Sequence, residues 1–269
     1  MSDQPAARHR ATTTDLQSAR DAKRPFAVVT AYDRATAEIA EAAGVRAILV
    51  GDSLAQVALG HESTVRVGME EMLHHTRAVA RGAQRAMVVG DMPFMSYQAS
   101  IEDGVRNAGR FLKEGGAHAV KVEGPQYDLV HRLVEVGIPV MAHVGLTPQS
   151  VHAFGGFKVQ GRGEAAARVL EHAVGLEKAG AFAVVLEAMP SEVAADITRS
   201  LQVPTIGIGA GVACDAQVLV VNDLLGLNER LPKLAKAYAD LRTTIAEAAT
   251  AFARDVEAGT FPDDAHSYS

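Results

Sequence analysis

Short apolar runs that end in a polar or charged tip recur along this chain: 46–53 (RAILVGDS), 86–91 (AMVVGD), 119–123 (AVKVE), 138–143 (IPVMAH), 182–187 (FAVVLE) and 204–209 (PTIGIG). Runs of this length without alternation read as strands buried on both faces, the signature of a parallel sheet. A carboxylate in the middle of such a strand would be a buried charge, costing several kcal/mol unless it is paired. At the C-terminal tip it can meet solvent, a metal or a ligand. Segments of helical periodicity separate the runs, so the repeated unit is strand, functional tip, helix. That pattern predicts an α/β chain folded as a single (β/α)8 TIM barrel, with its site on the rim formed by the C-terminal ends of the strands.

At 269 residues, 48% of them hydrophobic, the chain can bury one large core, and barrels of this size are commonly one domain. The expected division is a flexible tail over 1–13 and a catalytic barrel over 14–269. A short N-terminal helix at 14–23 begins the barrel, and a long helix at 236–258 with a polar tail ends it. A net charge of −6 and no dense basic patch argue against a nucleic-acid partner. No apolar run approaches the roughly 20 residues that span a bilayer, and the N-terminus lacks the apolar core of a secretion signal. The one cysteine, Cys214, excludes an intramolecular disulfide and fits a reducing compartment. Cytoplasmic localisation is therefore expected, with Cys214 as a small packed residue.

Taken in order, Asp33 stands before an alanine-rich helix at 34–43, a helix-capping position rather than a catalytic one. The segment 54–67, with His61, Ser63 and Thr64, has the length of a rim loop that folds over a ligand. His74 and His75 are adjacent on a helix and do not face each other, so a solvated face is expected there and not a metal site. Residues 152–163 are too glycine-rich for a regular element and read as a lid or interface loop. The glycines of 207–211 (GIGAG) suit close approach of the strand tip to an uncharged ligand group. The eighth strand is expected at 218–221.

Asp52, Asp91 and Glu123 stand at the tips of consecutive strands, and neighbouring strands are about 4.8 Å apart. Three carboxylates so close repel one another, and a divalent cation removes the conflict. All-oxygen ligands select a hard ion, Mg2+ before Mn2+ or Ca2+. Its natural ligand is a small molecule with two adjacent oxygens, such as a 2-oxo acid. Lys121 shares a strand face with Glu123, and with Ser53 it would donate to the substrate carboxylate. The metal would polarise the keto group and stabilise an enolate. Glu187, on strand six, is the candidate base for the adjacent carbon; its bland alternative is a capping acid before Pro190. His143 is the second candidate base, or else a donor to the developing enolate.

TAYD (30–33), LVGDS (49–53), GHEST (60–64), DMPF (91–94), KVEG (121–124), HVGLTPQS (143–150), FGGFKVQGRG (154–163), LEAMP (186–190) and GIGAG (207–211) together resemble the ketopantoate hydroxymethyltransferase family of pantothenate biosynthesis. The resemblance runs in order over nearly the whole chain, and its most specific part is HVGLTPQS followed by FGGFKVQGRG. It implies a barrel of the phosphoenolpyruvate/pyruvate type with Mg2+ at Asp52 and Asp91 and Glu123 as the third metal-site acid. It also implies oxo-acid contacts from Asp52, Ser53, Asp91 and Lys121, and Glu187 as proton acceptor. The implied co-substrate is 5,10-methylenetetrahydrofolate, the acceptor 3-methyl-2-oxobutanoate and the product 2-dehydropantoate. The implied assembly is a homo-oligomer, commonly a decamer. Ala55-Gln56 and Ala216 depart from the family pattern at positions outside the metal and base sets. The rival readings are an oxo-acid lyase or mutase on the same barrel, and a non-catalytic oxo-acid-binding protein.

Overall fold

The structure, a computed structural model, describes residues 9–268; positions 1–8 of the expected N-terminal tail lie outside the described residues. After α1 (Thr13–Asp21), the chain runs β1 (Phe26–Thr30), α2 (Arg34–Ala42), β2 (Ala47–Val50), α3 (Leu54–Val57) and α4 (Met69–Gly82). It continues through β3 (Met87–Asp91), α5 (Ile101–Lys113), β4 (Ala119–Glu123), α6 (Tyr127–Glu135), β5 (Val140–Gly145), α7 (Val151–Phe154) and α8 (Ala165–Lys178). Then come β6 (Ala183–Glu187), α9 (Ser191–Ser200), β7 (Thr205–Ile208), β8 (Ala216–Leu219), α10 (Val221–Leu224) and α11 (Leu241–Glu257). The strands close in chain order into one parallel barrel, β8 pairing with β1. This is the TIM barrel that the repeated runs predict.

The described residues through Val220 form one compact unit, and those from Val221 onward form a second. In the second, the helix expected from residue 236 starts only at Leu241. Tyr238 and Leu241 donate their backbone N–H groups to Leu224 and Leu225 carbonyls (2.8 and 2.9 Å). Those bonds fold the preceding segment back as a turn, and the Asp240 carboxylate then caps the helix at Thr243 N (3.2 Å).

In the first unit, α1 buries Leu16 and Ala19 against the end of the barrel where strands begin. Gln17 donates to the Gln202 carbonyl (2.9 Å), and Arg20 donates to the Leu201 carbonyl and lies 3.7 Å from Asp215. Asp33 caps α2 as expected, accepting from Thr36 N at 2.8 Å. His75 is bonded to the Tyr32 carbonyl (2.6 Å), so only His74 keeps the solvated role expected of the pair.

The connection from β7 to β8 departs from a strict strand–helix repeat: residues 209–215 hold no helix. The strands are so short that the chain can return along the outside of β7, where Asp215 accepts from Thr205 N (2.9 Å). A Cβ at Gly207 would lie 2.9 Å from Cys214 Sγ and 2.9 Å from Gln217 Oε1. The close approach that this glycine permits is thus to the returning chain, and not to a ligand as the GIGAG pattern suggested. Cys214 is buried there, the small packed residue expected.

Register fixes which strand residues share a level. Asp91 pairs with Lys121, Lys121 with Met141, Glu123 with His143, and Gly145 with Glu187. Side chains alternate across a strand, so Gly90 on β3 faces away from its neighbour Asp91. A Cβ there would stand 2.3 Å from the Phe111 ring on α5. Gly90→Ala should therefore overpack this layer by about 1–3 kcal/mol, lowering Tm by roughly 2–4 °C per kcal/mol in calorimetry. Adding Phe111→Leu should return part of that loss. Additive costs in the double variant would mean that the two side chains do not collide.

Candidate active site

The C-terminal ends of β2 to β6 bring every candidate residue of the sequence to one rim. Asp52 follows β2, where the chain bends so that its own backbone N–H donates to Asp91 Oδ2 (3.1 Å). Lys121 Nζ donates to both Asp91 oxygens (2.8 and 3.0 Å) and to Glu123 Oε1 (3.2 Å). Beside Glu123, the His143 ring has Nδ1 3.3 Å from Glu123 Oε1 and Nε2 3.3 Å from Glu187 Oε2. These are ion-pair separations without hydrogen-bond alignment, since neither nitrogen has a hydrogen-bonded partner. A continuous polar chain thus runs from Asp52 through Asp91, Lys121, Glu123 and His143 to Glu187. All but the last are buried; the Glu187 side chain is 16% exposed.

Burial raises the Asp52 carboxyl well above its ordinary range, and the charges of Asp91 and Glu123 add to that. Asp91 is raised by burial, against the pull of Lys121. Glu123 goes the other way: burial opposes ionisation, but Lys121, His143 and the Gln149 N–H hold it at about 2. Burial and the Lys121 ammonium disfavour a charged His143, yet Glu123 and Glu187 outweigh them and lift it to about 9. Lys121 is raised because Asp91, Glu123 and Asp52 more than offset its desolvation. The cluster therefore sets four carboxyl groups against two cations, Lys121 and His143, and this excess of acid drives Asp52 toward its protonated form.

That excess is what a divalent cation would relieve, and an all-carboxylate donor set suits a hard one. Among the described residues, no three His, Cys, Asp or Glu side chains form a ready-made ion cage. A cation at Asp52 and Asp91 would therefore share its coordination with water or a ligand. The structure also gives Lys121 a place the sequence did not: it lies between two acids instead of standing clear for a substrate carboxylate.

Ser53 Oγ lies 2.9 Å from the Tyr32 hydroxyl, which accepts from Thr30 Oγ1 (2.8 Å). Gly145 allows β5 to run tight against β6: it has φ +97°, and a Cβ would stand 2.3 Å from the Glu187 carbonyl oxygen. Two residues at the site escape a strand-tip reading. Tyr97 follows β3 in a loop, and Gln149 follows Pro148 in the turn Pro148–Ser150; both bond to the acid cluster. The only sequence signal for Gln149 is its place inside HVGLTPQS; Tyr97 has none.

The profile of the family Ketopantoate hydroxymethyltransferase matches residues 10–264. A curated relative from Syntrophus aciditrophicus (strain SB), named 3-methyl-2-oxobutanoate hydroxymethyltransferase, is 56% identical over 261 residues, 96% of each chain. Another of that name, from Carboxydothermus hydrogenoformans, is 55% identical over 97% of this chain and 96% of its own. Among solved structures, a phosphonopyruvate hydrolase complex with oxalate and Mg2+ superposes with TM-score 0.61 at 15% identity, covering 96% of this chain and 92% of its own. A 2,3-dimethylmalate lyase superposes with TM-score 0.60 at 16% identity, covering 94% and 90%. At such identities the likeness is one of fold.

Proposed function

Because the chain belongs to the ketopantoate hydroxymethyltransferase family, we propose that it moves a one-carbon unit from 5,10-methylenetetrahydrofolate to 3-methyl-2-oxobutanoate. C3 of the oxo acid loses a proton, the resulting enolate carbon bonds to the methylene carbon, and water supplies the hydroxyl oxygen of 2-dehydropantoate as tetrahydrofolate leaves. The observation that carries this reading is the placement of His143 within 3.3 Å of both Glu123, in the acid cluster, and Glu187. It sets a partly exposed carboxylate opposite a charged, buried donor set.

Asp52 and Asp91, with Glu123 behind them, would hold Mg2+. When bound, the ion polarises the keto oxygen and lets the electron pair left at C3 delocalise. The residues of the chain then divide the work. Glu187 takes the proton, being the one carboxylate of the series that reaches solvent. His143, lifted to about 9, holds its proton at neutral pH, so it suits donation and charge balance better than base catalysis. Ser53, with Tyr32 behind it, and Lys121 bind the substrate carboxylate, Lys121 turning from its acid partners to do so. The exposed apolar side chains of α11, Ile245, Phe252 and Val256, support assembly into a homo-oligomer, with the decamer of the resemblance as the first expectation. No helix among the described residues is long and apolar enough to cross a membrane, and the single cysteine supports a cytoplasmic enzyme.

Solvent exchange tests this directly. In D2O, the C3 proton of 3-methyl-2-oxobutanoate should wash out with enzyme and Mg2+, and exchange should fall to background with EDTA. Addition of 5,10-methylenetetrahydrofolate should then yield the hydroxymethylated acid. Exchange without a folate-dependent product would point to a lyase or mutase, and binding without exchange to a non-catalytic protein.

A further inference from the structure

Gln149 is buried at the centre of the acid cluster with every polar atom of its amide in use. Its Nε2 donates to Asp52 Oδ2 (3.0 Å) and to the Met92 carbonyl (2.9 Å). Its Oε1 accepts from the Tyr97 hydroxyl (2.8 Å) and from Gln98 Nε2 (3.0 Å). Its backbone N–H donates to Glu123 Oε2 (3.0 Å). One residue thus grips the acids after β2 and at the end of β4, and ties both to the loop after β3.

The orientation of this amide is not free. A tyrosine hydroxyl has one proton. The Tyr97 hydroxyl accepts from Glu123 N (3.0 Å), so its proton is left for Gln149 and requires an oxygen facing it. The NH2 group must then face Asp52 and the Met92 carbonyl. With Oδ2 of Asp52 engaged by Gln149, Oδ1 has no hydrogen-bond partner among the described residues. Glu123 Oε2 is likewise engaged, which turns Oε1 toward Lys121 and His143. The turn that carries Gln149 packs against the turn Thr64–Arg66 of the loop after β2, which braces it from the other side.

We infer that Gln149 is a positioning residue, its amide set in orientation by Tyr97, that fixes which oxygen Asp52 presents to the metal and the oxo acid. This rests on the reading that the clustered acids form the metal–oxo-acid site. Groups that orient metal ligands are worth about 10- to 100-fold in metal affinity. Gln149→Leu leaves Asp52 Oδ2, the Met92 carbonyl and the Tyr97 hydroxyl without partners. Gln149→Glu places a carboxylate against Asp52. Tyr97→Phe keeps the amide but removes the group that orients it.

The test uses Mn2+ as an EPR-visible probe with 3-methyl-2-oxobutanoate present. Both Gln149 variants should bind Mn2+ about 10- to 100-fold more weakly than the wild type, with Tyr97→Phe between. KM for the oxo acid should rise in proportion, and a Gln149→Asn variant should recover part of the affinity. A purely structural role would lower Tm while leaving the Mn2+ affinity of the folded protein unchanged, and that result overturns the inference. If the wild type binds no Mn2+, the functional reading fails instead. A crystal structure of Gln149→Leu then decides the positioning claim, which is lost if Asp52 keeps its side-chain orientation.

Discussion

Glu187→Gln is expected to stop C3 proton exchange while leaving the fold and oxo-acid affinity nearly intact. A positioned general base contributes about 10²- to 10⁴-fold, so exchange followed by NMR should fall by at least the lower figure. The variant keeps the size of the side chain at a partly exposed position, so little change in Tm is expected. The substitution also removes one of the two carboxylates beside His143. His143 should become less basic, visible as a move of its imidazole NMR titration to lower pH. Exchange within a factor of a few of wild type would move the base assignment away from Glu187.

The second large effect is on stability. Lys121 is a buried cation held by Asp91 and Glu123, and breaking a buried pair from one side leaves uncompensated charge at a cost of about 3–5 kcal/mol. Lys121→Met should lower metal-free stability by that amount in urea titration, and adding Asp91→Asn should restore a large part of it. The pH dependence has a definite sign. Asp52 and Asp91 are already raised in the folded protein, so that state keeps protons which the unfolded chain has released. Stability therefore falls as pH climbs above the ordinary carboxylate range. Without Lys121 the two acids rise further and the slope steepens. A Lys121→Met protein no less stable at pH 8 than at pH 5 would contradict this account of the cluster.

The barrel and the acid tips were legible because both follow from local chemistry. Unbroken apolar runs need burial on both faces, and Asp52, Asp91, Glu123 and Glu187 stand where those runs end. The pair Lys121 and Glu123, two residues apart, signalled a shared face that the register then placed beside Asp91 and His143. Other features depend on chain paths that no short window encodes. Gln149 and Tyr97 reach the acids from loops, and their partners are 26 to 97 residues away. Gly207 looked like a ligand contact because its neighbours Cys214 and Gln217 come close only through the direct return from β7 to β8. The late start of α11 depends on backbone bonds to the turn after α10, which helical periodicity cannot reveal.

The side-by-side placement of Glu123 with His143, and of Asp91 with Lys121, has a consequence for assembly of the barrel. Sliding β4 by one residue would swing its acid and its ammonium into the greasy layer under the helices and bring Val120 and Val122 into the lumen. Misaligned closures would strand ions in hydrocarbon. The buried charge cluster thereby acts as a proofreader of strand alignment, and variants that neutralise it are expected to fold with more mispaired by-products.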